Sequence, residues 1–300
     1  MKRILITGGT VFVSKYTAQY YLNKGYEVFV LNRNTRSQLP GARLIHADRS
    51  HLGNALKGLH FDVVFDINSY NKDDIHLLLD ALESYGDYIF ISSSAVYPDT
   101  APQPFSENSP VGPNSFWKSY GTNKIEAEQA LTKRNPKAYI LRPPYLYGPM
   151  NNVYREAFVF DCALKGRTFY LPSNGEMKLQ FFYIDDLCLF MDVLLEQRPS
   201  QRIFNVGNRT PVSVADWVKL CYQTAQRPLH TICVSETVDC RNYFSFHPYE
   251  YFLNVSAQKE LFNYETPMKK GLEASFDRYL KFPEEVTTKP FMEFIDFYLK

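Results

Sequence analysis

The sequence predicts an α/β fold, a doubly wound parallel sheet with helices on both faces, joined to a smaller mixed α/β C-terminal region. Two observations carry this. Short, continuously apolar runs recur through the first half and alternate with helical stretches, as strands buried on both faces require. The first run, Ile4-Leu5-Ile6, stops at Gly8-Gly9 and gives way to a helix, the strand–glycine turn–helix order that opens such a sheet. A chain of 300 residues suffices for one such domain and a smaller partner region.

The elements follow in order. Tyr16 to Asn23 reads as a helix closed by Gly25, and Glu27 to Leu31 as a second buried strand. Arg43 to His46 is a weaker third strand and Phe61 to Asp66 a fourth. Asp73 to Ser84 reads as a helix, with acids in its first turn and Gly86 as its stop. Tyr88 to Ile91 is a fifth strand, Trp117 to Lys133 a long helix ended by Asn135-Pro136, and Ala138 to Leu141 a sixth strand. Beyond Pro143-Pro144 the pattern loosens. Leu171 to Gly175 reads as a loop, Phe181 to Gln197 as a strand end running into a helix, Arg202 to Val206 as a strand, and Val214 to Ala225 as a helix. Residues 1–148 are therefore expected to form the sheet domain, with 177–207 returning to it, and residues 149–300 to be mainly a substrate-binding region.

Composition excludes several classes. The net charge is +1 and no basic stripe occurs, so nucleic acid is not the expected partner. Five cysteines (Cys162, Cys188, Cys221, Cys233 and Cys240) contain no C-x-x-C pair, which argues against a disulfide framework or a zinc site. His46, His51, His60 and His76 follow no metal-ligand spacing, so no metal is expected. No apolar stretch reaches the about 18 residues of a membrane span. Strand-like sequence begins at residue 2, so no signal peptide is expected and a cytoplasmic location is. The 22 Tyr and 23 Phe point to a bulky core more than to a stacking pocket.

Thr7-Gly8-Gly9-Thr10-Val11-Phe12-Val13-Ser14 lies between strand and helix, where a Rossmann dinucleotide loop belongs. Glycine lets the backbone turn tightly beside a pyrophosphate, and the helix N-terminus offers N–H groups and a positive dipole end. Gly8, Thr10, Val11, Phe12 and Val13 are the loop's candidate cofactor contacts. Val11 and Ser14 stand where further glycines are usual. At the second strand's end, Asn32 replaces the acid that would hold a ribose 2′-hydroxyl, while Arg33 suits a 2′-phosphate. The cofactor expected is NAD or NADP, with NADP favoured; Arg33 reads equally well as a solvated strand-end charge. Asp48 suits either the adenine amino group or the cap of a turn.

Ser92-Ser93-Ser94-Ala95-Val96-Tyr97 follows the fifth strand, and Tyr120 and Lys124 sit four residues apart on the long helix, hence on one face. A lysine's charge favours the phenolate of a nearby tyrosine, which fits a general acid/base, and a serine from the strand end can orient a substrate oxygen.

With these residues the chain resembles the extended short-chain dehydrogenase/reductases, the NAD-dependent epimerase/dehydratase group. The resemblance spans TGGT (7–10), ISSSAVY (91–97), YGTNK (120–124), LRPPYLYGP (141–149), FFYIDDL (181–187) and FNVG (204–207). It implies that Ser93, Tyr120 and Lys124 are catalytic, that Pro143 lies near the nicotinamide, and that the C-terminal region closes over a nucleotide sugar. Ser94, Tyr145, Lys178, Gln180 and Arg241 are then candidate substrate contacts, Arg241 for a diphosphate. Ser94 and Ala95 occupy the positions where 4,6-dehydratases carry an Asp-Glu pair, so the resemblance implies epimerisation or simple redox rather than dehydration. Leu179 stands where epimerases place an arginine. Members of the family often dimerise through helices like 73–84 and 117–133. The loop TGGTVFVS and the strand end LNRN are similar to a divergent branch that includes chloroplast stem-loop RNA-binding proteins. A non-catalytic nucleotide- or RNA-binding role is therefore the alternative reading.

Overall fold

The computed structural model describes residues 2–300. The chain runs β1 (Arg3–Thr7), α1 (Phe12–Asn23), β2 (Glu27–Asn32), β3 (Arg43–His46), β4 (His60–Asp66), α2 (Lys72–Ala81), β5 (Ser84–Ile91), α3 (Ser119–Arg134) and β6 (Tyr139–Arg142). It continues through β7 (Tyr145–Tyr147), α4 (Glu156–Leu164), β8 (Phe169–Pro172), β9 (Lys178–Leu179), β10 (Phe181–Tyr183), α5 (Ile184–Gln197) and β11 (Ile203–Asn205). β12 (Val212–Ser213), α6 (Val214–Thr224), β13 (Thr231–Val234), α7 (Ser256–Leu261), α8 (Met268–Lys281) and α9 (Phe291–Tyr298) complete it. Two compact units divide the chain. One comprises the chain up to Pro144, Ile184–Gly207 and Leu253–Tyr264; the other comprises Tyr145–Tyr183, Asn208–Phe252 and Glu265–Lys300.

The first unit is the expected doubly wound sheet. Seven parallel strands lie in the order β3-β2-β1-β4-β5-β6-β11, the Rossmann order, which reverses direction between β1 and β4. Leu5, Phe29, Leu31, Val64, Phe90 and Ile140 of the sheet pack with Ile75, Leu78, Ala127 and Leu131 of α2 and α3. Full burial of each large side chain contributes about 1.5–3 kcal/mol.

One expected boundary is corrected. α2 ends at Ala81, and Ser84 and Gly86 belong to β5. Gly86 serves the strand because a Cβ there would lie 2.5 Å from the Asp62 carbonyl oxygen of β4. α2 starts on a capping box, in which Asn71 accepts from the Asp74 N–H and Asp74 from the Asn71 N–H.

The second unit is built from small pairings: β7 with β10 and β8 with β13 in parallel, and β9 with β12 antiparallel. Leu171 and Pro172, expected in a loop, belong to β8, whose partner strand comes about sixty residues later. Helices α4, α6 and α8 pack on one another. The aromatic richness is largely core here: Trp217 stacks on Phe181 at 5.6 Å, and Phe246 meets both rings edge-on. Among the described residues, no helix is long and apolar enough to cross a membrane.

Candidate functional site

The first unit places its candidate residues at the C-terminal ends of β1, β4, β5 and β6, around the point where strand order reverses. That crevice is where open α/β sheets bind ligands.

The glycine loop turns tightly. Gly8 and Gly9 have φ of +97° and +91°. A Cβ on Gly9 would lie 2.4 Å from Val30 Cγ1, and one on Gly8 would lie 2.8 Å from Ser14 Oγ. Only bare backbone fits, so main-chain groups line the crevice here. Val11 replaces a glycine without strain, because its backbone is extended (φ −136°, ψ 135°) where a β-branched residue is comfortable. Ser14 uses its hydroxyl on the Val11 carbonyl at 2.9 Å, and no side chain caps α1. The first-turn amides of Phe12 and Val13 thus remain without a side-chain acceptor. These features fit a dinucleotide pyrophosphate.

Asn32 braces this loop. Its Nδ2 donates to the Gly8 carbonyl at 2.7 Å, and its Oδ1 accepts from Asn34 N and Gln38 Nε2. Arg33 is exposed at the strand end. Asp48 accepts from Ser50 N and Oγ at 2.9 and 2.7 Å, bonds that hold its carboxyl below the ordinary carboxylate value, with Arg33 assisting.

A polar hub at the end of β4 was not legible in the sequence. Asp66 is fully buried and accepts from Thr7 Oγ1 at 2.9 Å, Tyr88 Oη at 2.7 Å, and Ser69 Oγ. Burial alone would raise its carboxyl. Arg49, with Nη2 3.4 Å away, and these three hydroxyls hold it below the ordinary value instead. Arg49 also donates to Ser69 Oγ at 2.6 Å and to Asn68 Oδ1. The Asn68 amide nitrogen in turn lies 3.6 Å from the Cβ that Gly8 lacks, which links the hub to the glycine loop.

The serine turn and α3 meet closely. Ser93 caps the short 3-10 turn Ser94–Val96, its Oγ accepting from Ala95 N at 3.2 Å. Gly121 presses on that turn: a Cβ there would lie 2.3 Å from the Ala95 carbonyl oxygen. Buried Asn114 leads the chain into α3 by accepting from Phe116 N and Trp117 N and donating to the Tyr97 carbonyl. Ser94 N donates to the Pro143 carbonyl at 2.9 Å, which joins the β6 end to the same turn. Ser93, Ser94, Tyr120, Lys124 and Pro143 are therefore brought to one end of the sheet.

Tyr120 is 37 % exposed, its ring edge-on to Tyr70 at 6.2 Å. Lys124 is only 3 % exposed. Its Nζ donates to the Ser69 and Ile91 carbonyls at 2.7 and 2.9 Å and lies over the Phe90 and Tyr70 rings. Burial lowers its pKa to about 8, while Asp66 and Glu128 pull the other way.

One turn further along α3, Glu128 forms a buried ion pair with Arg142 of β6, with Nη2 to Oε2 at 2.5 Å and Nε to Oε1 at 3.0 Å. Ser92 Oγ donates to the same carboxylate at 2.5 Å. Arg142 Nη1 also donates to Tyr97 Oη at 2.8 Å, which donates to Asn205 Oδ1 at 2.7 Å. This network clamps α3, β5, β6 and β11 together beneath the candidate site.

The remaining candidates lie in the second unit. Tyr145 is buried, and burial pushes its phenol up to about 12. Gln180 is buried, with Nε2 donating to the Asn208 carbonyl at 2.8 Å. The Lys178 side chain is exposed, and its backbone N–H donates to Glu250 Oε2 at 2.8 Å. Arg241 is half-buried and donates to the carbonyls of Phe244 and Ser245. Among the described residues, no group of three or more His, Cys, Asp or Glu is arranged to hold a metal ion.

A family model described as the NAD dependent epimerase/dehydratase family matches residues 4–207. The chain is 27% identical to the chloroplast stem-loop binding protein of 41 kDa b of Arabidopsis thaliana, over 92% of this chain and 79% of that protein. Among solved structures, it is similar to dTDP-glucose 4,6-dehydratase from Bacillus anthracis in complex with NAD, with TM-score 0.75 and 18% identity over 95% of this chain and 98% of that one. It is similar also to UDP-glucuronic acid 4-epimerase from Bacillus cereus in complex with UDP-glucuronic acid and NAD, with TM-score 0.71 and 20% identity over 93% and 99%.

Proposed function

The chain belongs to the NAD dependent epimerase/dehydratase family, and from that premise we propose that it is an NAD-using oxidoreductase of the epimerase type, acting at a hydroxyl of a nucleotide sugar. The observation that carries this reading is the convergence of Ser93, Tyr120 and Lys124 with the glycine loop at one end of the sheet. The dinucleotide, when bound, supplies a hydride acceptor and donor. Gly8, Thr10, Val11, Phe12 and Val13 would hold its pyrophosphate with main-chain groups and the α1 N-terminus. Pro143 would flank the nicotinamide end. Tyr120 takes the proton from the substrate hydroxyl and returns it, and the Ser93 hydroxyl orients that oxygen. The Lys124 ammonium, held by the Ser69 and Ile91 carbonyls and attracted by Asp66 and Glu128, favours the Tyr120 phenolate. Two of its three N–H donors are used on carbonyls, which leaves one for a ribose or phenol oxygen.

Epimerisation is preferred to dehydration because Ser94 and Ala95 are buried in the 3-10 turn and supply no carboxyl for elimination. In the second unit, Tyr145, Lys178, Gln180 and Arg241 remain the substrate candidates. NAD is supported as the cofactor by the family and by the NAD-bound structures it resembles. The lean of Arg33 toward NADP is the competing outcome of the same experiment.

Titration of NADH and NADPH by nicotinamide fluorescence tests the reading, followed by absorbance of reduced cofactor with a panel of UDP-sugars. Tyr120→Phe is expected to keep cofactor binding and lose turnover. Absence of binding by both dinucleotides below millimolar sinks the proposal. A second reading, a nucleotide- or RNA-binding protein without catalysis, is favoured by the similarity to the stem-loop binding protein. The net charge of +1 weighs against RNA, whose binding is dominated by phosphate contacts. Tight RNA binding without cofactor binding would select it.

A further inference from the structure

The Lys124 ammonium is almost fully buried, although it lies at the end of the sheet where the strands stop. Two aromatic rings lie against it. The centroid of Phe90 of β5 is 4.7 Å from Nζ, and this ring belongs to the core. The centroid of Tyr70, from the turn between β4 and α2, is 5.5 Å from Nζ, and this residue is 55 % exposed. A half-exposed ring resting on a buried cation stands between that cation and water.

The backbone that carries Tyr70 is tied on both sides. Ahead of it, Arg49 Nη2 donates to Ser69 Oγ at 2.6 Å, and Lys124 Nζ donates to the Ser69 carbonyl at 2.7 Å. Tyr70 N itself donates to Asp74 Oδ2 at 2.8 Å, the carboxylate that also closes the α2 capping box. The side chain therefore leaves from a fixed point, and its ring meets the Tyr120 ring edge-on at 6.2 Å. Tyr70 thus touches both members of the candidate acid/base pair. Helical spacing along α3 gives no sign of it, because it comes from another strand end.

We infer that Tyr70 is a positioning residue of the Tyr120–Lys124 pair, its ring the cover that keeps water from the Lys124 ammonium and abuts the Tyr120 ring. The ring acts on the lysine in two opposing ways. Its π-face favours the ammonium, by less than about one pH unit at a partly exposed site. Exclusion of water disfavours the ammonium, by up to about 3–5 pH units for a fully buried group. Exclusion wins here. Burial takes Lys124 from 10.5 to about 8, against the pull of Asp66 of β4, Glu128 of α3 and Asp74 of α2 and together with the push of Arg49. Truncating Tyr70 leaves those four charges and Phe90 in place, so the lysine then reports the ring alone. As a statement about turnover, the role rests on the oxidoreductase reading above; as a statement about the surroundings of Lys124, it stands without it.

NMR titration of the lysine Cε resonances in the full chain tests the cover, with Lys124 assigned by the signal lost in Lys124→Met. Tyr70→Ala is expected to raise the Lys124 midpoint by about one pH unit or more, a tenfold change in proton affinity, as water reaches the ammonium. Tyr70→Phe keeps the ring and is expected to keep the wild-type midpoint. Tyr70→Leu, shorter than the ring, gives the same reading as alanine if the alanine variant misfolds. An unmoved midpoint in a folded Tyr70→Ala or Tyr70→Leu protein overturns the cover. With a UDP-sugar that is turned over, Tyr70→Ala is expected to lower kcat by about tenfold or more with NADH affinity kept within about twofold, and Tyr70→Phe to restore it. Equal kcat in Tyr70→Ala and wild type overturns the positioning role. NADH titration of the same samples separates the two claims. A Lys124 midpoint that moves in Tyr70→Ala without NADH binding leaves the cover standing and sinks the oxidoreductase reading; NADH binding with an unmoved midpoint does the reverse.

Discussion

Two sets of cations, one in each unit, are held in different ways. In the first, Arg49, Lys124 and Arg142 each meet named acceptors: Asp66 and Ser69, two strand-end carbonyls, and the Glu128 carboxylate. In the second, Arg167 and Arg278 pair with Asp296 and Glu285, whereas Arg155 and Arg241 donate to backbone carbonyls and Lys289 lies over the Phe291 ring, with no ion pair for these three among the described residues. A cation with its partners in place braces a scaffold, and removing it leaves a buried acceptor stranded. A cation held only by carbonyls and rings leaves no buried carboxylate stranded when it is removed. Arg142 is therefore part of the scaffold, and Arg155, whose side chain meets aromatic rings and one carbonyl, is the contrasting case.

The largest expected effect breaks the scaffold. Arg142→Leu strands the buried Glu128 carboxylate and is expected to cost about 3–5 kcal/mol in urea unfolding. A loss under about 1 kcal/mol would mean that the clamp is not structural. Lys124 comes next. Its ordinary pKa is 10.5, and burial lowers it to about 8, so between these values the unfolded chain binds more protons than the folded one. Stability attributable to Lys124 therefore rises with pH across that window, by up to about 3 kcal/mol. Unfolding of wild type and Lys124→Met at pH 7 and pH 10.5 measures it. Parallel pH dependence in the two proteins would show that the lysine is not desolvated.

Gly121→Ala drives a methyl into the Ala95 carbonyl and is expected to cost about 1–3 kcal/mol, with a larger fall in turnover than in NADH affinity, because α3 carries Tyr120. Unchanged stability and turnover would show that the close contact between α3 and the serine turn is dispensable. The smallest effect sharpens the comparison. Arg155→Leu is expected to change stability by less than about 0.5 kcal/mol, or to raise it, even though it is the same kind of substitution as Arg142→Leu. A loss as large as that for Arg142→Leu would place Arg155 in the scaffold.

Legibility follows the same division. The parallel strands could be read because each is a local apolar run, and Tyr120 and Lys124 because helical spacing alone places them on one face. The end of α2 differs from the sequence expectation because the polar stretch around Glu83 and Ser84 continues the helical pattern, whereas the close approach of the Asp62 carbonyl, which suits Gly86 to the strand, is a property of the neighbouring strand. The Arg49–Asp66 hub leaves no local pattern in the sequence because its members come from different strand ends. In the second unit, strands of two to four residues pair across long separations, β8 with β13 and β7 with β10, and so leave no local periodicity to read.

By itself the sequence determined the strand and helix runs of the first unit, the glycine loop and the shared helical face of Tyr120 and Lys124, because each is a local pattern in the chain, while Ser93 joined them through the family resemblance. Tertiary structure alone decided that Lys124 is buried on two carbonyls, that Glu128 and Arg142 clamp the site from below, and that Arg155 lies over Tyr145 and Phe246. Those outcomes depend on which distant backbones pair and what they exclude from water, and charge pairing and burial have no period along a chain.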